Sequence, residues 1–286
     1  MEIQKNISLS QYNTYNTGGT ADFLCVCRKF EDLEGTLFFA EEKGLEHFIL
    51  GGGSNVLFSD DGFRGMVIVN KIESLSFEEE GMSVGAGYSL AKLLSETAGK
   101  GFLGLEFLAG IPGTVGGAVF GNAGSWDHSI SEAIKTVKIY TPDGDIVELL
   151  PDELGFNYRK SNIGERNLII LEVDFRLKKD SSEEIKEKIA ENLKKKAETR
   201  PKGLSCGSFF KNSKEHSAGE LIEKVGLKGE KIGSAQISEK HANFIINLGN
   251  ATSSEIYQLA QLAKRAVKEK FGIELEEEVK LIGDFR

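Results

Sequence analysis

The chain is 286 residues long, which at about 150 residues per domain predicts roughly two domains, each with its own core, and excludes a small disulfide scaffold. Lys and Arg total 35 against 44 Asp and Glu, a net charge of -9 that argues against a domain built to coat nucleic acid or anionic lipid. Any anionic substrate therefore needs a local basic pocket, and 40% hydrophobic with 28% charged residues is the balance of a folded globular protein.

In chain order, Cys25 and Cys27 alternate on a strand as core or edge residues, and Glu31 to Lys43 carries Leu33, Leu37 and Ala40 at helical spacing. His47-Phe48-Ile49-Leu50 predicts a short strand that runs into glycines, and Met66 to Val69 and Ser83 to Ala86 predict two more. Ser89 can cap a helix through Leu90, Leu93 and Leu94 that ends near Gly99. Val137 to Tyr140 and Ile146 to Leu149 flank the turn signal Thr141-Pro142-Asp143-Gly144, and Leu168 to Leu177 is a long apolar strand. This half reads as a mixed α+β sheet domain.

Ser181 to Thr199 predicts a helix with Ile185, Ile189 and Leu193 on one face, acidic residues early and Lys194, Lys195 and Lys196 late, matching the helix dipole; its expected role is a solvated connector. Pro and Gly between Arg200 and Ser205 mark a domain boundary. Beyond it, Ser217-Ala218-Gly219-Glu220 and Thr252-Ser253-Ser254-Glu255 fit the capping box, so two helices are expected, the first ending at Gly226 and the second near Gly272. Phe244 to Ile246 and Val279 to Ile282 complete a compact α+β unit as strands.

The polar amino terminus lacks the basic start and apolar run of a secretory signal, and the three cysteines, Cys25, Cys27 and Cys206, suit a reducing cytoplasm better than a disulfide framework or a zinc site. From Phe107 to Trp126 about 20 residues carry no charge, long enough for a bilayer. Gly110, Pro112, Gly113, Gly116, Gly117, Gly121 and Gly124 make that stretch a very poor helix, so a membrane span is rejected. The four histidines, His47, His128, His216 and His241, show no metal-ligand spacing, and no metal is expected.

Glycine is the informative excess, with 33 residues beside 4 prolines. Gly51-Gly52-Gly53-Ser54-Asn55 directly follows a strand, where consecutive backbone amides can cradle a phosphate or form a tight turn only. It is neither a P-loop nor a dinucleotide fingerprint, since no Lys-Ser/Thr follows and Val56 stands where the third glycine belongs. Gly110-Ile111-Pro112-Gly113-Thr114-Val115-Gly116-Gly117-Ala118 is a second glycine loop, and two such loops in one domain can hold an extended pyrophosphate cofactor. Ser54 and Ser208 lack the nucleophile elbow of a hydrolase.

These two loops, with Asn122-Ala123-Gly124, Tyr158-Arg159-Lys160-Ser161, Cys206-Gly207-Ser208-Phe209-Phe210-Lys211-Asn212 and Glu278-Val279 in this order, give the chain a resemblance to a known family. It resembles the UDP-N-acetylenolpyruvoylglucosamine reductases from about Thr14 to Gly283, nearly its whole length. The resemblance implies an α+β protein: an FAD-binding domain of the vanillyl-alcohol-oxidase type over residues 1–199, in subdomains of about 1–70 and 71–199, then an α+β substrate-binding domain over 200–286. It implies a cytoplasmic, monomeric enzyme with a UDP-linked substrate and no nucleic-acid or membrane partner. The resemblance further implies a two-stage reaction, in which NADPH reduces FAD and leaves and flavin N5 then delivers hydride to the vinyl C3 of the substrate.

The same resemblance implies the site. Arg159 matches the arginine that grips the substrate carboxylate, although by itself it could be a surface salt-bridge residue. Glu278 matches a glutamate that shares this task, best as a donor if burial keeps it protonated; by sequence it is one more acid after Glu274, Glu276 and Glu277. Ser208 matches the serine that protonates C2, where otherwise it would be a turn serine after Gly207. The cofactor residues implied are Gly51, Gly52, Gly53, Ser54, Asn55, Gly110, Ile111, Pro112, Gly113, Gly116, Gly117 and Ala118; the substrate residues are Tyr158, Lys211, Asn212 and Gln236.

Three departures bear on local rigidity and contacts. Ser213 stands where Pro usually follows Lys-Asn, Glu277 where Pro often precedes the glutamate, and Arg200-Pro201-Lys202-Gly203 replaces the common Lys-Gln-Pro pattern. No insertion carries a tyrosine loop, so the resemblance is to the shorter class. Two other readings are a flavin oxidase of the same superfold and a flavin-binding protein without catalysis.

Overall fold

In the computed structural model, which describes residues 1–285, the longer elements are β1 (Ile3–Ser8), β2 (Thr20–Cys27), α1 (Phe30–Glu42), β3 (His47–Leu50), β4 (Val56–Phe58), β5 (Phe63–Asn70), β6 (Leu75–Glu78), β7 (Gly81–Gly85), α2 (Leu90–Gly99) and α3 (Val115–Phe120). They continue with β8 (Ile134–Tyr140), β9 (Ile146–Leu149), β10 (Ile169–Arg176), α4 (Ser182–Thr199), α5 (Ala218–Lys224), β11 (Lys231–Ile232), β12 (Ala235–Ile237), β13 (Ile245–Asn247), α6 (Ser253–Phe271) and β14 (Lys280–Ile282). The chain divides into two compact units, the first made of 1–3, 25–52 and 68–196, the second of 4–24, 53–67 and 197–286. Strands β1, β2, β5 and β3 form one four-stranded sheet in that order.

The first unit is built on an antiparallel sheet of order β9-β8-β10-β7-β6. Its register aligns Leu75, Val84, Val173, Val137 and Leu149 as one row across all five strands. Alternation puts the whole row on one face, and Val84, Val173 and Val137 are fully buried in a core shared with Leu90, Leu93, Val115 and Val119. The predicted hairpin is present, with Tyr140 opposite Ile146.

Within the charge-free segment a helical turn forms after all, as α3. Thr114 caps it by accepting the Gly117 N–H at 3.3 Å, and Gly116 donates to the Ala86 carbonyl at 2.8 Å. A Cβ on Gly116 would stand 2.9 Å from Ala86 Cβ, so tertiary contact overrides the weak helical propensity of glycine. No helix among the described residues is long and apolar enough to cross a membrane. Helix α2 begins where Ser89 predicts, but the serine hydroxyl does not cap it; the Leu90 N–H donates to the Gly113 carbonyl at 3.1 Å instead.

In the second unit, α5 and α6 pack on the antiparallel sheet β11-β12-β13, with Phe209, Phe210, Ile237, Leu259, Ala263 and Val279 buried between them. The capping box of α6 is complete: Thr252 accepts the Glu255 N–H and the Glu255 carboxylate accepts the Thr252 N–H, both at 3.1 Å. Gly272, at φ 70°, ends this helix in the left-handed conformation. At α5 only half of the box forms, through Ser217 and the Glu220 N–H. Strand β14 runs parallel to β4, pairing Lys280 with Val56 and Ile282 with Phe58.

Candidate functional site

In the first unit, β3 leads directly into Gly51 and Gly52, and these touch the second glycine loop. A Cβ on Gly51 would lie 2.5 Å from Thr114 Oγ1, and one on Gly52 would lie 2.7 Å from Gly113 Cα. The approach of Gly52 to the Gly113 backbone is open only to glycine, and at Gly51 a side chain would collide with the Thr114 hydroxyl. Gly110 and Gly113 adopt φ of 74° and 121°, turning the chain around Ile111 and Pro112. What Gly51, Gly52, Gly110 to Gly113 and Gly116 to Ala118 present together is main chain with few side chains, the surface that suits a pyrophosphate. The residues present therefore fit a dinucleotide cofactor.

Helix α4 is tied to this loop more firmly than a solvated connector would be. Lys196, only 7% exposed, donates to the carbonyls of Ala109 at 2.6 Å and Phe107 at 3.1 Å, and its Nζ lies 4.7 Å from the centre of the Trp126 ring. Asn192 on the same helix donates to the Glu106 carbonyl at 3.0 Å. In sequence Lys196 is the last of three lysines that complement the helix dipole, and nothing local separates it from the other two.

Arg159 sits in a tight turn closed by two backbone hydrogen bonds between Asn157 and Lys160, at 3.0 and 3.1 Å. Its φ of 52° is left-handed, a conformation that costs a non-glycine residue energy and collects at functional sites. The half-buried guanidinium donates to the Gly124 carbonyl at 2.7 Å and lies 5.0 Å from the centre of the exposed Tyr158 ring. Tyr158 thus supports the arginine. Lys160 pairs with Glu165 at 2.8 Å.

In the second unit, Gly53 turns at φ 65° where a Cβ would collide with the Tyr12 carbonyl, and Ser54 and Asn55 follow before β4. The Asn55 side chain donates to the Glu278 carbonyl at 3.0 Å, and its own carbonyl accepts the Lys280 N–H at 3.0 Å. The segment after Gly207 runs antiparallel to Glu276–Val279: Phe209 accepts the Glu278 N–H at 2.8 Å, and Lys211 donates to the Glu276 carbonyl at 2.8 Å. Half-buried Ser208 therefore precedes the residue whose carbonyl holds Glu278. Buried Cys206, two residues before Ser208, donates to the Val56 carbonyl at 3.1 Å; burial pushes its thiol up to about 11, so it stays a donor.

Arg200, in the boundary segment that departs from the common Lys-Gln-Pro pattern, adds a cation here. Burial lowers its guanidinium from the ordinary arginine value and the Glu278 carboxylate pulls it back up, so the two groups feel each other.

The predicted substrate residues are engaged locally. Lys211 forms a close ion pair with Glu276, the Asn212 side-chain carbonyl accepts the Ala218 N–H at 3.0 Å at the start of α5, and Gln236 donates to the Gly229 carbonyl at 3.2 Å. The departures are compensated too. Ser213 closes the turn to His216, accepting its N–H at 2.9 Å, and Glu277 pairs with Lys264 on α6 at 2.7 Å.

Residues 199–282 match the family described as UDP-N-acetylenolpyruvoylglucosamine reductase, C-terminal domain, and residues 21–150 match the FAD binding domain family. The chain is 39% identical to UDP-N-acetylenolpyruvoylglucosamine reductase from Halalkalibacterium halodurans, over 99% of its own length and 95% of the relative's. It is 41% identical to UDP-N-acetylenolpyruvoylglucosamine reductase 1 from Bacillus thuringiensis subsp. konkukian, over 96% and 93%. The crystal structure of UDP-N-acetylenolpyruvylglucosamine reductase from Thermus caldophilus matches with a TM-score of 0.86 at 36% identity, covering 99% of this chain and 100% of that one.

Proposed function

The chain belongs to the UDP-N-acetylenolpyruvoylglucosamine reductase family, and from that membership we propose that it reduces the enolpyruvyl group of UDP-N-acetylenolpyruvoylglucosamine to give UDP-N-acetylmuramate for peptidoglycan synthesis, with FAD bound and NADPH as reductant. The observation that supports the mechanism is the hydrogen bond from the Glu278 N–H to the carbonyl of Phe209, the residue that follows Ser208. Residues 1–199 hold FAD and 200–286 hold the substrate, a division supported by the two family matches. The enzyme acts as a cytoplasmic monomer, in keeping with its three free, buried cysteines.

The main chain of Gly51, Gly52, Gly110 to Gly113 and Gly116 to Ala118 would hold FAD, which would supply the hydride chemistry that links NADPH to the vinyl C3 of the substrate. The rest is done by side chains. The Arg159 fork grips the substrate carboxylate through two parallel donors and stabilises the negative charge that delocalises onto it from C2. Glu278 shares in polarising that carboxylate, and Arg200 beside it keeps the local charge from becoming repulsive. The Ser208 hydroxyl gives its proton to C2 and recovers one from solvent; a strongly basic carbon needs a well-placed donor more than an acidic one.

Purified protein should be yellow, NADPH should bleach it without oxygen, and UDP-N-acetylenolpyruvoylglucosamine should restore the colour. Restoration by oxygen alone would favour a flavin oxidase, and absence of bleaching a binding protein.

Lys196→Met keeps the stem of the side chain and removes both bonds to the glycine loop. Hydrogen bonds to a charged donor are worth about 1.5–3 kcal/mol each, so flavin affinity is expected to fall about tenfold or more. The ratio of flavin to protein after dialysis reads this directly, and an unchanged ratio would detach Lys196 from the cofactor loop.

A further inference from the structure

We propose that Asn243 is a positioning residue that holds Ser208 and Glu278 in register for the proton-transfer step. The inference rests on the reading above, in which Ser208 gives the proton.

Asn243 is 3% exposed and lies just before β13. Its side chain binds both polar groups of one backbone residue: Oδ1 accepts the Phe210 N–H at 2.9 Å and Nδ2 donates to the Phe210 carbonyl at 2.8 Å. Its own carbonyl accepts the Phe209 N–H at 2.8 Å. A side-chain amide can replace a neighbouring strand in this way because it carries one acceptor and two donors at peptide-like spacing.

The opposite edge of the same segment meets the glutamate. The Phe209 carbonyl accepts the N–H groups of Glu278 at 2.8 Å and Val279 at 3.4 Å. All four backbone groups of Phe209 and Phe210 are thus paired, three of them with Asn243. Both rings are buried, at 0% and 1% exposure, so this stretch cannot slide without breaking core packing. Ser208 precedes it directly, and Glu278 hangs from its carbonyl. Asn243 is itself held, since its N–H donates to His241 Nδ1 at 3.3 Å. One buried residue, through its side-chain amide on Phe210 and its own carbonyl on Phe209, therefore fixes the stretch that joins Ser208 to the Glu278 backbone, without touching substrate.

The test uses flavin-loaded Asn243→Ala and Asn243→Asp enzymes, the second keeping the acceptor for the Phe210 N–H. Each half-reaction is followed anaerobically, alone and in combination with Ser208→Ala. A misplacement of about 1 Å costs on the order of 100-fold, so reoxidation by UDP-N-acetylenolpyruvoylglucosamine should slow about 10- to 100-fold while reduction by NADPH stays within about twofold. Added to Ser208→Ala, the Asn243 change should slow reoxidation no further, because it acts through that serine. Equal slowing of both half-reactions, or full additivity, would reduce Asn243 to a fold clamp and overturn the proposal. So would parental reoxidation in both Asn243 enzymes while Ser208→Ala is slow. If Ser208→Ala itself reoxidises at the parental rate, the reading of Ser208 fails, and the proposal with it. Should Asn243→Ala lose its flavin, the same outcomes are read from Asn243→Asp.

Discussion

Ser208→Ala should be reduced by NADPH within about twofold of the parent rate, yet be reoxidised by the enolpyruvyl nucleotide about 10²-fold or more slowly, the loss expected when a general acid is removed. The substitution deletes a single oxygen. Among the described residues the Ser208 side chain contributes no hydrogen bond to the fold, and the backbone after it is fixed by Phe209 and Phe210. Stability should therefore move by no more than about 0.5 kcal/mol, as for substitutions away from structural features. Flavin content and the NADPH step serve as internal controls, because neither needs a proton at C2. Matching reoxidation rates in parent and variant would take Ser208 out of the chemistry.

Arg159→Lys should slow the same step about 10²- to 10³-fold, the range for removing a preorganised donor from a developing oxyanion. Charge is retained, so the loss reports the fork. A lysine ammonium cannot place two parallel N–H groups on a carboxylate, nor reproduce the planar guanidinium that lies 5.0 Å from the centre of the Tyr158 ring. The left-handed backbone at Arg159 sharpens the argument. Arg159→Gly relieves that conformation but gives up the bond to the Gly124 carbonyl, so stability should change by no more than about 2 kcal/mol while turnover is abolished. A protein that keeps an arginine where glycine would be easier keeps it for what the side chain does. Should Arg159→Lys turn over at the parental rate, bidentate grip is not what the site uses.

Local pattern accounts for much of the architecture. The strand His47–Leu50 and the helix ends at Thr252 and Gly272 fall where alternation, capping and glycine place them, because each depends on near neighbours. Strand β1 escaped because Ile3–Ser8 is mostly exposed and polar, and only its pairing in the sheet makes it a strand. The site was legible only through the order of its motifs. In sequence, Glu274, Glu276, Glu277 and Glu278 are four similar acids; in the fold the first three pair with Lys268, Lys211 and Lys264, and the fourth lies near Arg200. Lys196 and Asn243 were equally silent, since their tasks are set by carbonyls far away along the chain.

The parallel pairing of Val56–Phe58 with Lys280–Ile282, and the bond from Asn55 to Glu278 across 223 residues, tie together two segments far apart in the sequence. A nascent chain can build its first hydrophobic row while still attached to the ribosome, but Val56, Leu57 and Phe58 must wait for their partner to emerge. Closing so long a loop is entropically expensive, so it belongs to the last stage of folding. Glu278 reaches its working position only in that closure, so the chemistry follows the long-range pairing and cannot precede it.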